Sequence, residues 1–193
     1  MKADASIYEG KRVIRRVLER VPGLARVDPN AVTLSILVPA AVAAVALWLG
    51  WWSLLVVALV VRMVLATLDG FIAERFDRAS RLGAYLNRLV TEVADAFLLV
   101  ALVGRAEPLW VAAALGTAWL VNVLGVLGPI AGGQIQWTGP AGQADRLALF
   151  IAAAVLAQLG IMDWTVFCQL LVALGAITIL RRASRSVAEL RAS

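Results

Sequence analysis

Polar side chains that could carry chemistry gather in the apolar middle of this sequence. Asp69 ends one apolar run, and Asn87, Thr91 and Asp95 follow in the next run at spacings of four residues. Residues spaced by four lie on one side of a helix, so these three are expected to form a single polar stripe. The sequence contains no histidine, which excludes histidine zinc sites and Ser-His-Asp triads. Any catalysis must therefore rest on carboxylates, hydroxyls, arginine or a bound metal ion.

Further charged residues accompany this stripe. Arg62 precedes Asp69 by seven residues, which places both on one face of the same helix. Arg88 and Glu92 run beside the stripe, one position along. Ionisable groups inside a bilayer are costly enough to indicate a function, yet such groups could also do no more than neutralise one another between helices. Both interpretations stay open at this point.

The composition places the chain in a membrane. Hydrophobic residues make up 62% of the 193 residues and the mean hydropathy is +0.85, above the roughly half-apolar make-up of soluble domains. Six apolar runs approach the length that crosses a bilayer: Val32–Leu49, Trp52–Leu68, Gly83–Val103, Leu109–Ile130, Leu147–Ile161 and Trp164–Leu180. We therefore predict an all-α integral membrane protein, a bundle of six transmembrane helices. Because several runs are a little short, either the helices extend into the flanking loops or the fifth span is locally short. Pro39 is expected to kink the first span.

The chain divides into three segments. Residues 1–31 hold an amphipathic stretch from Ser6 to Val21 and a linker. The stretch has apolar residues on one face and basic residues on the other, typical of an interfacial helix in the headgroup plane, with a solvated basic arm as the alternative. Asp28-Pro29-Asn30, at the end of the linker, supplies a helix start. Residues 32–180 form the six-helix domain, and residues 181–193 form a basic cytoplasmic tail.

The basic residues predict the orientation of the bundle. With six spans both termini lie on one side, and that side also receives Arg75, Arg78 and Arg81 between the second and third spans. The turns on the opposite side offer only Arg105. Cytoplasmic loops are enriched in lysine and arginine, so both termini are expected in the cytoplasm. This topology and contact with anionic lipid explain the net charge of +5 without nucleic acid as a partner.

A longer pattern surrounds Asp69. Asp69, Gly70, Ala73 and Gly83 fall in register with the motif D-x-x-D-G-x-x-A-R, eight residues, then G-x-x-x-D-x-x-x-D. The chain thereby resembles the CDP-alcohol phosphotransferase family, the CDP-alcohol phosphatidyltransferases, which are membrane lipid synthases. The motif also lies between the second and third spans, as in the family. The resemblance places it on the cytoplasmic side of the membrane.

Two other segments extend the resemblance over nearly the whole chain. Residues 29–33 are similar to the P-N-x-x-T opening of the family, and residues 139–146 to a G-P-M-G-K-S/A-D-R segment of one bacterial branch. The chain is therefore identified as a divergent member of bacterial type, and an inner, cytoplasmic membrane is its expected location.

The family motif is degenerate at three of its four acidic positions. Ala66 stands in place of the first aspartate, Asn87 in place of the third and Thr91 in place of the fourth. Glu74 replaces the arginine, and Arg75 is displaced from it by one position. In the family the four carboxylates hold divalent metal, which bridges the pyrophosphate of a CDP-linked substrate.

The resemblance implies a role for each matching position. The catalytic candidates are Asp69 and Thr91, the substrate-binding candidates Gly70, Ala73, Arg75 and Gly83, the metal candidates Asp69 and Asn87, and the supporting candidates Arg62 and Asp95. The implied cofactor is Mg²⁺ or Mn²⁺, held only with a bound nucleotide, because a single carboxylate does little to offset dehydration of the ion. The implied partners are membrane lipid and a CDP-linked lipid or alcohol, and a homodimer is left open.

Two functions of different classes follow. The first is an enzyme of phospholipid biosynthesis that transfers a phosphatidyl or phosphoalcohol group from a CDP-linked donor to an alcohol and releases CMP. The second is a non-catalytic family member that binds lipid or nucleotide, or scaffolds a membrane lipid enzyme. A small transporter is disfavoured because the sequence has no internal repeat and its polar groups gather at one end of the spans. The acceptor alcohol is not determined by any residue of the sequence.

Overall fold

The structure, a computed structural model, describes Val21 and residues 23–192. The amphipathic helix predicted for residues 6–21 lies outside this part except for Val21. The described residues form a short 3-10 turn and then seven α-helices, with no β-strand among them. The helices are α1 (Pro29–Ser35), α2 (Leu37–Leu49), α3 (Trp52–Arg75), α4 (Arg81–Ala101), α5 (Pro108–Ile130), α6 (Gln143–Gln158) and α7 (Trp164–Ala192). The all-α prediction is confirmed for the described residues.

The helices follow the six apolar runs of the sequence. The first run is divided between α1 and α2, with the break at Ile36, three residues before Pro39. Proline has no N–H to donate to the carbonyl four residues earlier, so the interruption falls where the predicted kink should be. At the other end of the chain, α7 continues to Ala192, so that residues 181–192 of the predicted basic tail extend the last helix.

Four helical segments are long and apolar enough to cross a bilayer, by length and composition: Pro29–Leu49, Trp52–Arg75, Pro108–Ile130 and Trp164–Arg191. Helix α4 has 21 residues but carries Arg88, Glu92 and Asp95 in its middle. Helix α6 has 16 residues, a length of about 24 Å against a hydrocarbon core of about 30 Å. The chain is an integral membrane protein, and the count of six spans stays a prediction.

The first of two compact units extends to Leu98. Its helix α1 begins as predicted, because the Asp28 side chain accepts a hydrogen bond from the Asn30 N–H at 3.0 Å and Pro29 occupies the first turn. Helix α3 packs against α1 and α2. One apolar cluster in the core of this unit is formed by Ile36, Ala40, Val90 and Ala94, with Leu37, Leu65 and Ala66 packed against it.

In the second compact unit, α5 packs along α7. A Cβ atom at Gly125 would lie 2.6 Å from Arg182 Nη1, so glycine leaves the room that this guanidinium needs. Arg182 is buried and donates to the carbonyl oxygens of Thr138 at 3.0 Å and Val121 at 2.7 Å. These bonds satisfy a charged group in the interior by backbone acceptors.

Candidate functional site

A cavity of about 250 Å³ lies in the first unit, lined by residues of α1, the end of α3 and the start of α4. Its lining includes Asp69, Gly70, Ala73, Gly83 and Asn87. Four of these are the positions in register with the family motif, and the fifth is a substituted one. The structure therefore brings most of the predicted site residues to one cavity.

The Asp69 carboxylate lines this cavity and is only 3% exposed. Its Oδ2 accepts hydrogen bonds from Thr33 Oγ1 at 2.7 Å and from Asn87 Nδ2 at 2.8 Å, and its Oδ1 accepts one from the Gly70 N–H at 2.6 Å. Thr33 lies on α1, Asp69 on α3 and Asn87 on α4, so one carboxylate joins three helices. We name these three side chains the carboxylate clasp. Because a carboxylate only accepts, the amide of Asn87 must present its NH₂ group to it.

The other two substituted acidic positions of the motif, Ala66 and Thr91, make their contacts away from the cavity. Thr91 Oγ1 donates to the carbonyl oxygen of Asn87 at 2.7 Å, a bond within its own helix. Ala66 packs against the apolar core of the first unit. Neither belongs to the described residues that line the cavity. These two positions therefore add no acidic group to the clasp.

A buried ion pair joins α3 and α4 two turns along α4 from Asn87. Arg62 Nη2 donates to Asp95 Oδ1 at 2.5 Å and to the Thr91 carbonyl oxygen at 3.4 Å. The two charged side chains are 3% and 4% exposed. Arg62 Nη1 is buried and has no hydrogen-bond partner within the part of the chain that the structure describes. Arg62 therefore faces the interior of the first unit, where its acidic partner is Asp95 of the polar stripe.

The charged end of α3 places glutamate, rather than arginine, at the cavity. Arg75 is exposed and is not among the described lining residues, whereas Glu74 lines the cavity. Arg78 also lines it and donates from Nη1 to the Val27 carbonyl oxygen at 3.1 Å, which ties the α3–α4 loop to the segment before α1. The wall therefore combines the carboxylates of Asp69 and Glu74 with one guanidinium.

Besides Glu74 and Arg78, three uncharged polar residues of the cavity had no site role in the sequence analysis. Thr33 is a member of the clasp, Asn30 lines the cavity one turn before it, and Ser80 Oγ caps α4 by accepting from the Gly83 N–H at 3.0 Å. The P-N-x-x-T opening was the available signal for Thr33 and Asn30. Its spacing places both on one face of α1, but the motif does not say which residue that face meets.

No protein-family model matches the chain, and no curated protein sequence matches it. A solved structure does: the crystal structure of Mycobacterium tuberculosis phosphatidylinositol phosphate synthase (PgsA1) with CDP-DAG bound has a TM-score of 0.73 to this chain. This chain has the phosphatidylinositol phosphate synthase fold. The match covers 91% of this chain and 92% of the synthase, at 20% sequence identity. The resemblance drawn from the sequence is thus confirmed at the level of the fold.

The family resemblance implies a divalent metal ion at the Asp69 cavity. The residues present there do not fit a metal centre built from several carboxylates. The described residues hold no group of three or more histidine, cysteine, aspartate or glutamate side chains placed to bind an ion. Mg²⁺ requires oxygen ligands, whereas Asn87 turns its nitrogen toward Asp69. Both oxygens of Asp69 already accept hydrogen bonds from the protein.

Proposed function

We propose that this chain is a non-catalytic protein of phospholipid biosynthesis that binds a CDP-linked lipid in the Asp69 cavity. The observation that carries the proposal is the hydrogen bond from Asn87 Nδ2 to Asp69 Oδ2, since it puts a neutral donor where the family motif has a carboxylate. The retained Gly70 and Gly83 line the cavity and support binding of a nucleotide-linked lipid. The synthase of similar fold holds CDP-DAG, which supports the same class of ligand here.

The residues of the cavity are poorly suited to catalyse transfer of a phosphatidyl or phosphoalcohol group. Displacing CMP from a CDP-linked lipid by an alcohol requires positive charge or donors at the leaving phosphate and a base for the proton of the alcohol. Asp69 is the one motif acid, and its carboxylate already accepts three hydrogen bonds from the protein, two of them at Oδ2. Glu74 adds negative charge to the wall in register with the arginine of the motif. Binding without transfer is therefore the function that this arrangement favours.

Phosphatidyl or phosphoalcohol transfer to an alcohol, with release of CMP, is the second candidate. It is favoured by one observation, that Asp69 remains in register with the motif and lines the cavity. As the base in such a reaction, Asp69 would act through Oδ1, which accepts one hydrogen bond from Gly70, because Oδ2 already accepts from Thr33 and Asn87. This candidate requires that CMP release depend on Asp69.

Binding of CDP-DAG can be tested by filling the cavity. A Cβ atom at Gly70 would meet no atom within 4 Å, so leucine at this lining position extends into the cavity without a clash at its base. We expect Gly70→Leu in lipid nanodiscs to bind CDP-DAG more weakly than wild type, on the order of tenfold or more. Titration of CDP-DAG by microscale thermophoresis measures this effect.

The matched control is Gly116→Leu on α5, where a Cβ atom also meets nothing within 4 Å and which is not a lining residue. This variant should bind as wild type does. Wild-type protein that binds no CDP-DAG, or that binds it equally after Gly70→Leu, contradicts the proposal. Release of CMP from CDP-DAG and a panel of alcohols, abolished by Asp69→Asn, establishes the second candidate instead.

The proposal includes six spans with the cavity and both termini on the cytoplasmic side of the inner membrane. In a Cys168→Ser background, single cysteines are introduced at Ser80, in the α3–α4 loop, and at Glu107, before α5; both positions are exposed. A membrane-impermeant maleimide should label Glu107→Cys in spheroplasts and Ser80→Cys only after the membrane is opened. The reverse pattern of labelling contradicts this topology.

A further inference from the structure

We infer that Asn87 takes the structural place of a metal ion in this fold, so that the carboxylate clasp holds α1, α3 and α4 together without a divalent cation. This deepens the proposed function by making the cavity metal-independent, and its test needs no CDP-linked lipid. The inference rests on the distances within the clasp, the ion pair beside it, and the environments of the remaining motif positions.

The first step is the contact between Asn87 and Asp69. The nitrogen of one side chain lies 2.8 Å from the oxygen of the other. A carboxylate at position 87 would place two negatively charged oxygens at about this separation, which is stable only with a cation or a shared proton between them. The amide removes this requirement because it donates a hydrogen bond to the carboxylate that it faces. The substitution of aspartate by asparagine therefore turns a repulsive pair into an attractive one.

The second step is the position of Arg62. Its guanidinium pairs with Asp95 and contacts the Thr91 carbonyl oxygen, so a permanent positive charge lies between α3 and α4. Arg62 precedes Asp69 by seven residues, about 10 Å along the same face of α3. Helices α3 and α4 are thus joined twice, once by an amide and a carboxylate and once by a guanidinium and a carboxylate. Each connection is a direct contact between two side chains.

The third step is that the remaining motif positions agree with a metal-free site. Ala66 is partly buried and packs against the apolar cluster of the first unit, so it places a methyl group where the motif has a carboxylate. Thr91 satisfies its hydroxyl on its own helix at the Asn87 carbonyl oxygen. The substitutions at positions 66, 87 and 91 therefore each remove a negative charge, and each new side chain makes a contact with the protein in its place.

The test compares three proteins in detergent: wild type, Asn87→Asp, and the exchanged pair Asp69→Asn/Asn87→Asp. The exchanged pair is the matched control, since it carries the same aspartate at position 87 but keeps one acid and one amide in the clasp. Binding of Mn²⁺ alone is followed by electron paramagnetic resonance, and thermal unfolding is recorded in EDTA and in Mn²⁺.

Wild type and the exchanged pair should show no saturable Mn²⁺ binding and the same unfolding temperature in EDTA and in Mn²⁺. Asn87→Asp should unfold at a lower temperature than wild type in EDTA, recover in Mn²⁺, and gain the saturable Mn²⁺ binding that wild type and the exchanged pair lack. Stoichiometric Mn²⁺ binding by wild type that is lost in Asp69→Asn overturns the inference. The inference is also overturned if Asn87→Asp responds to Mn²⁺ no more than the exchanged pair does. If neither variant folds, the measurement of Mn²⁺ binding by wild type decides. A failure of CDP-DAG binding leaves these results unchanged, so the two proposals fail independently.

Discussion

Asp95→Asn is expected to lower the free energy of unfolding by about 3–5 kcal/mol, because it leaves the buried guanidinium of Arg62 without its counter-charge. The side chains of this pair are 3% and 4% exposed, so water cannot replace the lost carboxylate. Asparagine has nearly the same size as aspartate, which confines the change to the charge. Denaturant unfolding of purified protein in mixed micelles, followed by circular dichroism, measures the loss.

The double variant Arg62→Met/Asp95→Leu is the control for this prediction. It removes both charges and fills the site with apolar side chains of similar length, and replacing a buried ion pair in this way is often neutral. We expect the double variant to be more stable than Asp95→Asn. If Asp95→Asn unfolds like wild type, the Arg62–Asp95 pair does not carry the stability that its burial implies.

Asp69→Ala is expected to cost about 2–3 kcal/mol of unfolding free energy, since hydrogen bonds to a charged acceptor contribute this much. The side-chain donors that lose the carboxylate are Thr33 Oγ1 and Asn87 Nδ2, which come from two other helices. Thr33 keeps the Pro29 carbonyl oxygen as a second acceptor at 3.0 Å. The same unfolding measurement applies. The loss should be equal in EDTA and in Mg²⁺, because the clasp holds its helices by hydrogen bonds.

Thr33→Val provides the graded comparison for the clasp. Valine is close to threonine in shape and deletes one of the donors to Asp69, while the bond from Asn87 stays. Its loss of stability should be clearly smaller than that of Asp69→Ala. Equal stability of wild type and Asp69→Ala, or a larger loss for Thr33→Val, contradicts the role given to the carboxylate.

The sequence by itself determined the class of the protein and most of its helices. In a bilayer every backbone N–H and C=O must find a partner within the protein, so a long apolar run can only be a helix. Local signals were equally direct: Asp28 and Pro29 begin α1, and the chain breaks at Ile36 before Pro39. The register of Asp69 and Gly70 with the family motif also pointed to the fold, since a motif consists of residue types and their spacing, both of which can be read from the sequence.

What the tertiary structure decided was which of these residues meet. Thr33 lies 36 residues from Asp69 and Asn87 lies 18 residues from it, yet all three share one set of hydrogen bonds. Helical spacing predicts the face that a side chain occupies, but not the neighbouring helix, its height or the atom that it presents. The sequence could therefore name Asn87 as a metal candidate, whereas only the packing of α3 against α4 shows that its nitrogen faces the carboxylate. The same limit applies at the end of α3, where Glu74 and not Arg75 reaches the cavity, because adjacent residues on a helix point about 100° apart and the packing selects between them.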